Sequence, residues 1–203
     1  MQPVSAVVWD IGRVLVQWDL ARIYRDVIPD PVERAQFTST VVTEAWHFRH
    51  DAGEPFAALI PARQAEFPEH AALIERYRTH WLDSVPGPID GTHPLVERLA
   101  ANGVPQFALT NFGADSWAMF RPTFPILDHM SDIVVSGVEK LVKPDPAIYA
   151  LADQRFGHAG AAVLFIDDSA ANIAAARKHG WQVHQFTGDV GALEGDLAGR
   201  GLL

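Results

Sequence analysis

The chain has 203 residues, 16 basic against 25 acidic side chains for a formal net charge of −9, and no cysteine. A length of one to two times about 150 residues implies one domain with room for an insertion. The acidic balance argues against a partner such as a nucleic-acid backbone, which needs a broad basic face. The lack of cysteine excludes disulfides, thiolate metal sites and a cysteine nucleophile. With 48% hydrophobic and 20% charged residues, the composition supports a buried core rather than disorder. The start, MQPVSAVVWD, has no basic opening or long apolar run, and no stretch reaches the roughly 20 apolar residues of a membrane span. These features set the expectation of a soluble cytoplasmic protein, monomer or homodimer, with no membrane or nucleic-acid partner.

In chain order, residues 6–9 (AVVW) form a short apolar run ending at Asp10. Residues 20–85 are rich in Trp, Phe, Arg and His, are punctuated by five prolines, and carry helical patterns, for example at residues 71–82 (AALIERYRTHWL). The segment VPGPIDG (residues 85–91) then reads as a hinge. A helix is predicted over residues 94–102, opening on Pro94 and stopping at Gly103. Residues 107–109 (FAL) precede Thr110 and Asn111, and residues 133–135 (IVV) precede Ser136. A second helix is predicted over 147–156, ending at Gly157. Residues 163–166 (VLFI) lead into Asp167 and Asp168, and a third helix spans 170–179 behind the possible cap Ser169. Residues 182–186 are a weak fifth strand candidate.

Short apolar runs without helical periodicity are how strands buried on both faces of a parallel sheet read. Their alternation with helices predicts right-handed crossovers and an α/β, doubly wound parallel sheet of Rossmann-like form. Residues 20–85 break that alternation. They could be a second helical layer of the same core; an inserted helical cap over the strand ends is the favoured expectation. The division is then 1–19 and 86–203 for the core and 20–85 for the cap.

In such a sheet Asp10, Thr110, Asp167 and Asp168 all fall at carboxyl ends of strands, the edge where open α/β sheets bind ligands. Taken singly, each has an ordinary explanation. Asp168-Ser169 could cap the following helix, Lys143-Pro144 could be an exposed helix approach, and Asp10 could be a turn residue. Polar groups following several separate apolar strands, with a lysine nearby, carry more weight together.

With these motifs in place, the sequence resembles the haloacid dehalogenase-like (HAD) hydrolases. The carrying motifs are VVWDIGRVL with Asp10, FALTN with Thr110, LVKPDPAIY with Lys143, and VLFIDDSAANIAAARKHGW with its acidic pair. Order and spacing agree over nearly the whole chain, and the insertion resembles the family's C1 cap. The resemblance implies Asp10 as nucleophile, Thr110 and the Asn111 N–H as phosphate donors, and Lys143 as the charge that offsets the carboxylates. It further implies Mg²⁺ held by Asp10, the Gly12 carbonyl and Asp168, with Asp167 as a supporting carboxylate and Asn172 helping to orient them. The chemistry suits these types. A carboxylate nucleophile splits ester hydrolysis into two steps through an aspartyl-phosphate, and Mg²⁺ takes hard oxygen ligands.

One departure stands out. Most phosphatases of the family carry a general-acid Asp two residues after the nucleophile; here that residue is Gly12. A general acid contributes on the order of 10²–10⁴ in rate. A branch with the same D-x-G pattern includes sugar-phosphate phosphatases, and two routes are open for this chain: a leaving group that departs unprotonated, or a proton supplied by a cap residue or a water. The place to search is residues 44–56 (EAWHFRHDAGEPF), crowded with Trp46, His47, Arg49, His50, Asp51 and Glu54. Histidine is the usual acid near neutral pH, so His47 and His50 are the named candidates for substrate contact. Arg13 could reach a phosphate or simply lie on the surface.

Three functions therefore compete. The first is a Mg²⁺-dependent phosphatase acting on a small phosphorylated metabolite such as a sugar phosphate. The second is a metal-independent 2-haloacid dehalogenase using the same Asp10 and Lys143. The third is a non-catalytic binding protein on the same fold. The acidic pair Asp167-Asp168, where dehalogenases usually have Ser/Asn, favours the first.

Overall fold

The computed structural model describes residues 3–203. Five parallel strands form one sheet: β1 (Ala6–Trp9), β2 (Gln106–Thr110), β3 (Ile133–Val135), β4 (Val163–Asp167) and β5 (Gln182–Gln185), in the order β3-β2-β1-β4-β5. This is the expected α/β architecture, with β1 at the centre. In register, Val8 lies between Phe107 of β2 and Phe165 of β4. All residues of β1, β2 and β4 are buried, whereas β5 is half-buried at the sheet edge.

The two faces of the sheet feed two apolar clusters, as strand alternation requires. Ala6 and Val8 point to one, built with Phe107, Phe165, Ile148, Tyr149 and Ile173. That layer comes from α8 (Pro146–Phe156) and α9 (Ala170–His179). Both helices begin at a side-chain cap, Asp145 and Ser169, and end at Gly157 and Gly180 in left-handed conformation. Val7 and Trp9 point to the opposite cluster. Leu95 and Leu99 of α5 (Thr92–Ala101) join it, as do Phe120 of α6 (Ala114–Phe120) and Leu193 and Leu197 of α10 (Val190–Gly199). The short α7 (Ser136–Glu139) follows β3 directly.

Between β1 and β2 the chain is helical: α1 (Pro31–Thr40), α2 (Glu44–Asp51), α3 (Phe56–Glu66) and α4 (Ala71–Thr79), with three short 3₁₀ turns. The helix anticipated over 71–82 stops at Thr79. His80 leaves the helical region, and Trp81–Ser84 tighten into a 3₁₀ turn that buries Trp81. This helical insertion is not separated from the sheet by solvent. Tyr24, Phe37, Trp46, Phe56 and Tyr77 belong to the same apolar cluster as Trp9 and Ile166. Its two connections to the sheet run side by side, since the Gln17 N–H donates to the Gly87 carbonyl and the Ile89 N–H to that of Leu15. Both connections therefore enter beside the β1 carboxyl end. Among the described residues no helix is long and apolar enough to cross a membrane.

Candidate active site

Asp10 follows β1, and its N–H donates to the Ile166 carbonyl of β4, extending the sheet by one bond. The chain then turns sharply through residues 11–16. Arg13 takes a left-handed conformation, with φ of 59°, uncommon for a residue with a side chain. The turn is held by bonds from the Leu15 and Val16 N–H groups to the Ile11 carbonyl. The Asp10 carboxylate accepts from the Ile11 N–H at 2.8 Å.

Lys143 meets Asp10 from the loop before α8. Its ammonium lies 2.9 Å from Asp10 Oδ1 and 2.7 Å from Asp167 Oδ2, and its side chain is 1% exposed. Its backbone is fixed by the Asn111 amide, which donates to the Lys143 carbonyl and accepts from its N–H, both at 2.9 Å. Asn111, one residue past β2, therefore positions the lysine loop through its side chain. Thr110 ends β2 buried, one residue before it.

Asp167 and Asp168 differ in environment despite adjacency. Asp167 is buried and saturated: Oδ1 accepts from the Ser169 N–H, the Asn172 amide lies 3.1 Å from both oxygens, and Lys143 takes Oδ2. Ser169 is the α9 cap, accepting from the Asn172 N–H, so capping of this helix falls to Ser169 and leaves both carboxylates for other work. Asp168 is partly exposed and faces the cavity. Asp10, Asp167 and Asp168 each offer an oxygen, all within 4.8 Å of one another. This all-oxygen set is of the hard type that Mg²⁺ or Ca²⁺ prefers, and its residues fit such an ion.

Like charges and burial perturb the group. Burial, together with Asp167 and Asp168, pushes the Asp10 carboxyl up to about 7, against the opposing pull of Lys143. Asp168 is also raised, by burial and by Asp167. Burial acts to lower Lys143, but Asp10 and Asp167 outweigh it, so the ammonium stays charged.

Above these groups lies a cavity of about 230 Å³, floored by Asp10, Lys143 and Asp168 and walled by Trp18, Phe48, Trp81 and Phe112. Arg13 and Glu44 meet at its mouth at 2.8 Å, and the Arg13 guanidinium lies 4.8 Å from the Trp18 ring centre. Arg13 thus bridges to the insertion. Helix α2 brings Glu44, His47 and Asp51 to the same cavity. His47 stacks on Trp18 with centroids 4.9 Å apart, and burial lowers its pKa to about 4, so the ring is neutral at pH 7.

The expectation that His50 contacts substrate is corrected by its position. Nδ1 pairs with the Glu54 carbonyl at 2.7 Å and Nε2 with the Ser116 hydroxyl at 3.1 Å, stapling α2 to α6 away from the cavity lining. Its ring is held against α6 and is not among the residues that line the cavity. The residue that sequence reading did not single out is Asp51. Its i+4 spacing from His47 was the available signal, since that spacing shares a helix face.

A parallel sheet with an acidic pair, an aspartate and a lysine gathered at its strand ends has its polar groups where open α/β sheets bind ligands. A family model of haloacid dehalogenase-like hydrolases matches residues 4–180, and the chain belongs to that family. No curated protein matches the sequence. Among solved structures, a HAD family enzyme from Bacteroides thetaiotaomicron in complex with magnesium and inorganic phosphate is similar at 18% identity and a TM-score of 0.70, over 92% of this chain and 96% of that one. A predicted HAD-like family hydrolase from Porphyromonas gingivalis gives 16% and 0.72, over 96% and 98%. L-2-haloacid dehalogenase from Xanthobacter autotrophicus with chloropropionic acid covalently bound gives 16% and 0.64, over 98% and 84%. At these identities the likeness concerns the fold.

Proposed function

We propose that the protein is a Mg²⁺-dependent phosphatase that hydrolyses a small phosphorylated metabolite, a sugar phosphate being the favoured class, through an aspartyl-phosphate on Asp10. The observation that carries this reading is the convergence of Asp10, Asp167 and Asp168 within 4.8 Å around one lysine. An all-carboxylate set is of little use to a reaction that attacks carbon without a metal. It is well suited to an anionic substrate that needs a cation beside an anionic nucleophile.

In this reading Asp10 and Asp168 hold the ion with the Gly12 carbonyl, and Asp167, already saturated, orients Lys143 instead. The ion would offset charge between the nucleophile and the phosphoryl oxygens. Lys143 favours the ionised form of Asp10, and Thr110 and the Asn111 N–H donate to the phosphoryl group. The helical insertion serves as the cap, its aromatic walls stacking on the C–H faces of a sugar and its polar groups selecting hydroxyls. A 2-haloacid dehalogenase would use Asp10 and Lys143 alone, and the dehalogenase among the similar structures makes that the competing outcome.

The test is a panel of phosphorylated metabolites and 2-chloropropionate, assayed with Mg²⁺ and with chelator. Phosphate release that needs Mg²⁺ is expected. Chloride release without metal, in the absence of phosphate release, would replace this reading with the dehalogenase.

A further inference from the structure

We propose that Asp51, from the helical insertion, is the general acid and base that replaces the carboxylate missing at Gly12. This inference rests on the phosphatase reading above and names the residue that completes it.

The argument begins with which cavity groups can hold a transferable proton. Outside the Asp10–Asp167–Asp168 cluster, the titratable side chains lining the cavity with Lys143 are Arg13, Glu44, His47 and Asp51. Arg13 and Glu44 are paired with each other at the mouth, both about half exposed or more. His47, neutral near pH 7, has Nδ1 2.5 Å from the Tyr77 hydroxyl and Nε2 3.3 Å from Asp51 Oδ2. Among these four, Asp51 alone retains a buried polar atom without a partner. Its Oδ1 is buried without a hydrogen-bond partner, on a side chain 9% exposed.

The hydrogen-bond chain then fixes where protons sit. Tyr77 is fully buried, and its pKa is raised well above the ordinary value by burial, so it keeps its O–H. A buried hydroxyl donates where it can, and the acceptor beside it is His47 Nδ1. The neutral ring then carries its proton on Nε2, which faces Asp51 Oδ2 at 3.3 Å. Burial pushes the Asp51 carboxyl up to about 7, opposed by His50, by the Gly113 N–H and by Lys143 across the cavity, so the protonated form is populated near neutrality. Asp51 is also held in place. Its own carbonyl accepts from the Ser136 hydroxyl at 2.6 Å, and its neighbour His50 is bound to Ser116.

The chemistry balances in two steps. As Asp10 attacks phosphorus, the ester P–O bond breaks and the leaving oxygen takes both the electron pair and the Asp51 proton. The alcohol departs, leaving the aspartyl-phosphate and an Asp51 carboxylate. Water then loses a proton to Asp51 as its oxygen attacks phosphorus. The aspartyl P–O bond breaks, restoring Asp10 and releasing inorganic phosphate.

The test compares phenyl phosphate, a poor leaving group, with p-nitrophenyl phosphate, a good one, in the presence of Mg²⁺. First-turnover release of the phenol is measured for the wild type, Asp51→Asn and Asp51→Ser. A general acid matters where the leaving group needs protonation. The variants are expected to lose on the order of 10²–10⁴-fold on phenyl phosphate and roughly tenfold or less on p-nitrophenyl phosphate. Adding Gly12→Asp to Asp51→Asn should recover phenol release, because a Cβ at Gly12 meets nothing within 4 Å. Equal losses on both esters would mark a structural role and overturn the proposal, as would no loss. If both Asp51 variants misfold, Asp51→Glu is expected to lose more on phenyl phosphate than on p-nitrophenyl phosphate if it loses activity at all, and an equal loss on both esters would overturn the proposal. Wild type that releases no phosphate from either ester overturns the phosphatase reading itself, and this assignment with it.

Discussion

Burial of the Asp51 carboxyl links pH to the stability of the fold independently of any catalysis. Its pKa in the folded state is about 7, against 3.8 for an unperturbed aspartate, and burial is the main cause. Between those values the unfolded chain has released the proton while the folded chain retains it. The favourable contribution is therefore complete below about pH 4 and is lost as pH rises through about 7. Each pH unit in that window is worth on the order of 1.4 kcal/mol, so the whole window amounts to a few kcal/mol. Asparagine in its place does not titrate and can still accept from His47 through its amide oxygen. Asp51→Asn is expected to gain stability relative to wild type between pH 5 and pH 8, measured by urea unfolding at both. An unchanged difference between the two proteins at the two values would show that Asp51 is ionised throughout. The effect of every other titrating group cancels in that comparison.

At the scale of elements, the site depends on how α2 is seated against the loop after β2. A Cβ added at Gly113 would lie 1.9 Å from the His50 ring, which is stapled to Ser116 and stacked on Phe56 with centroids 4.1 Å apart. The ring cannot yield without moving α2, which carries His47 and Asp51 into the cavity. Gly113→Ala is expected to cost about 1–3 kcal/mol, the usual range for overpacking, and to raise KM for substrate as the wall shifts. Gly12→Ala, where the added atom meets open space, should leave stability within about 0.5 kcal/mol. Denaturant titration of the two variants checks the contrast, and equal stability would mean that α2 is not held by this contact. The same dependence on packing explains which parts of the fold are visible in the sequence. The runs at 6–9, 107–109, 133–135 and 163–166 are buried on both faces and so read as unbroken apolar segments, close to the observed strands. β5 is half-buried at an edge, so its signal was weak. α10, with glycines at 191, 195 and 199, has neither a good helical composition nor a clear periodicity, and it forms because Leu193 and Leu197 pack on the sheet. For the site, strand ends located Asp10, Thr110, Asp167 and Asp168, since burial of the strand dictates where its polar end must emerge. The orientation of α2 is set by tertiary contacts, so residue type alone pointed to His47 and His50 equally and left Asp51 unranked.

For the molecule as a whole, a net charge of −9 is carried by a chain that also buries carboxylates against one another. Lys143 is one positive charge shared by Asp10 and Asp167, and among the described residues Asp168 makes no direct ion pair, Arg13 and Lys143 acting on it at longer range. The folded protein without a bound ion therefore carries like-charge repulsion at its centre, which adds to burial, the main cause, in raising the pKa of Asp10 and Asp168. A cation that binds this arrangement only in the folded state must stabilise the entire cooperative unit. At 100 times its dissociation constant it contributes about 2.7 kcal/mol, which for a chain of this length corresponds to a rise in Tm of about 5–10 °C. Mg²⁺ at a constant ionic strength maintained with NaCl is expected to raise Tm by that order. Asp168→Asn removes one proposed ligand and also one repelling charge, so its two effects have opposite signs. Without Mg²⁺ the variant should melt at or above the wild-type temperature, and with Mg²⁺ most of the rise should vanish. Calorimetry of both proteins across a Mg²⁺ series separates the outcomes. An equal Mg²⁺ effect in the two proteins would mean that the ion binds elsewhere, and a lower Tm for the ion-free variant would mean that Asp168 is held by a structural bond rather than left free for a ligand.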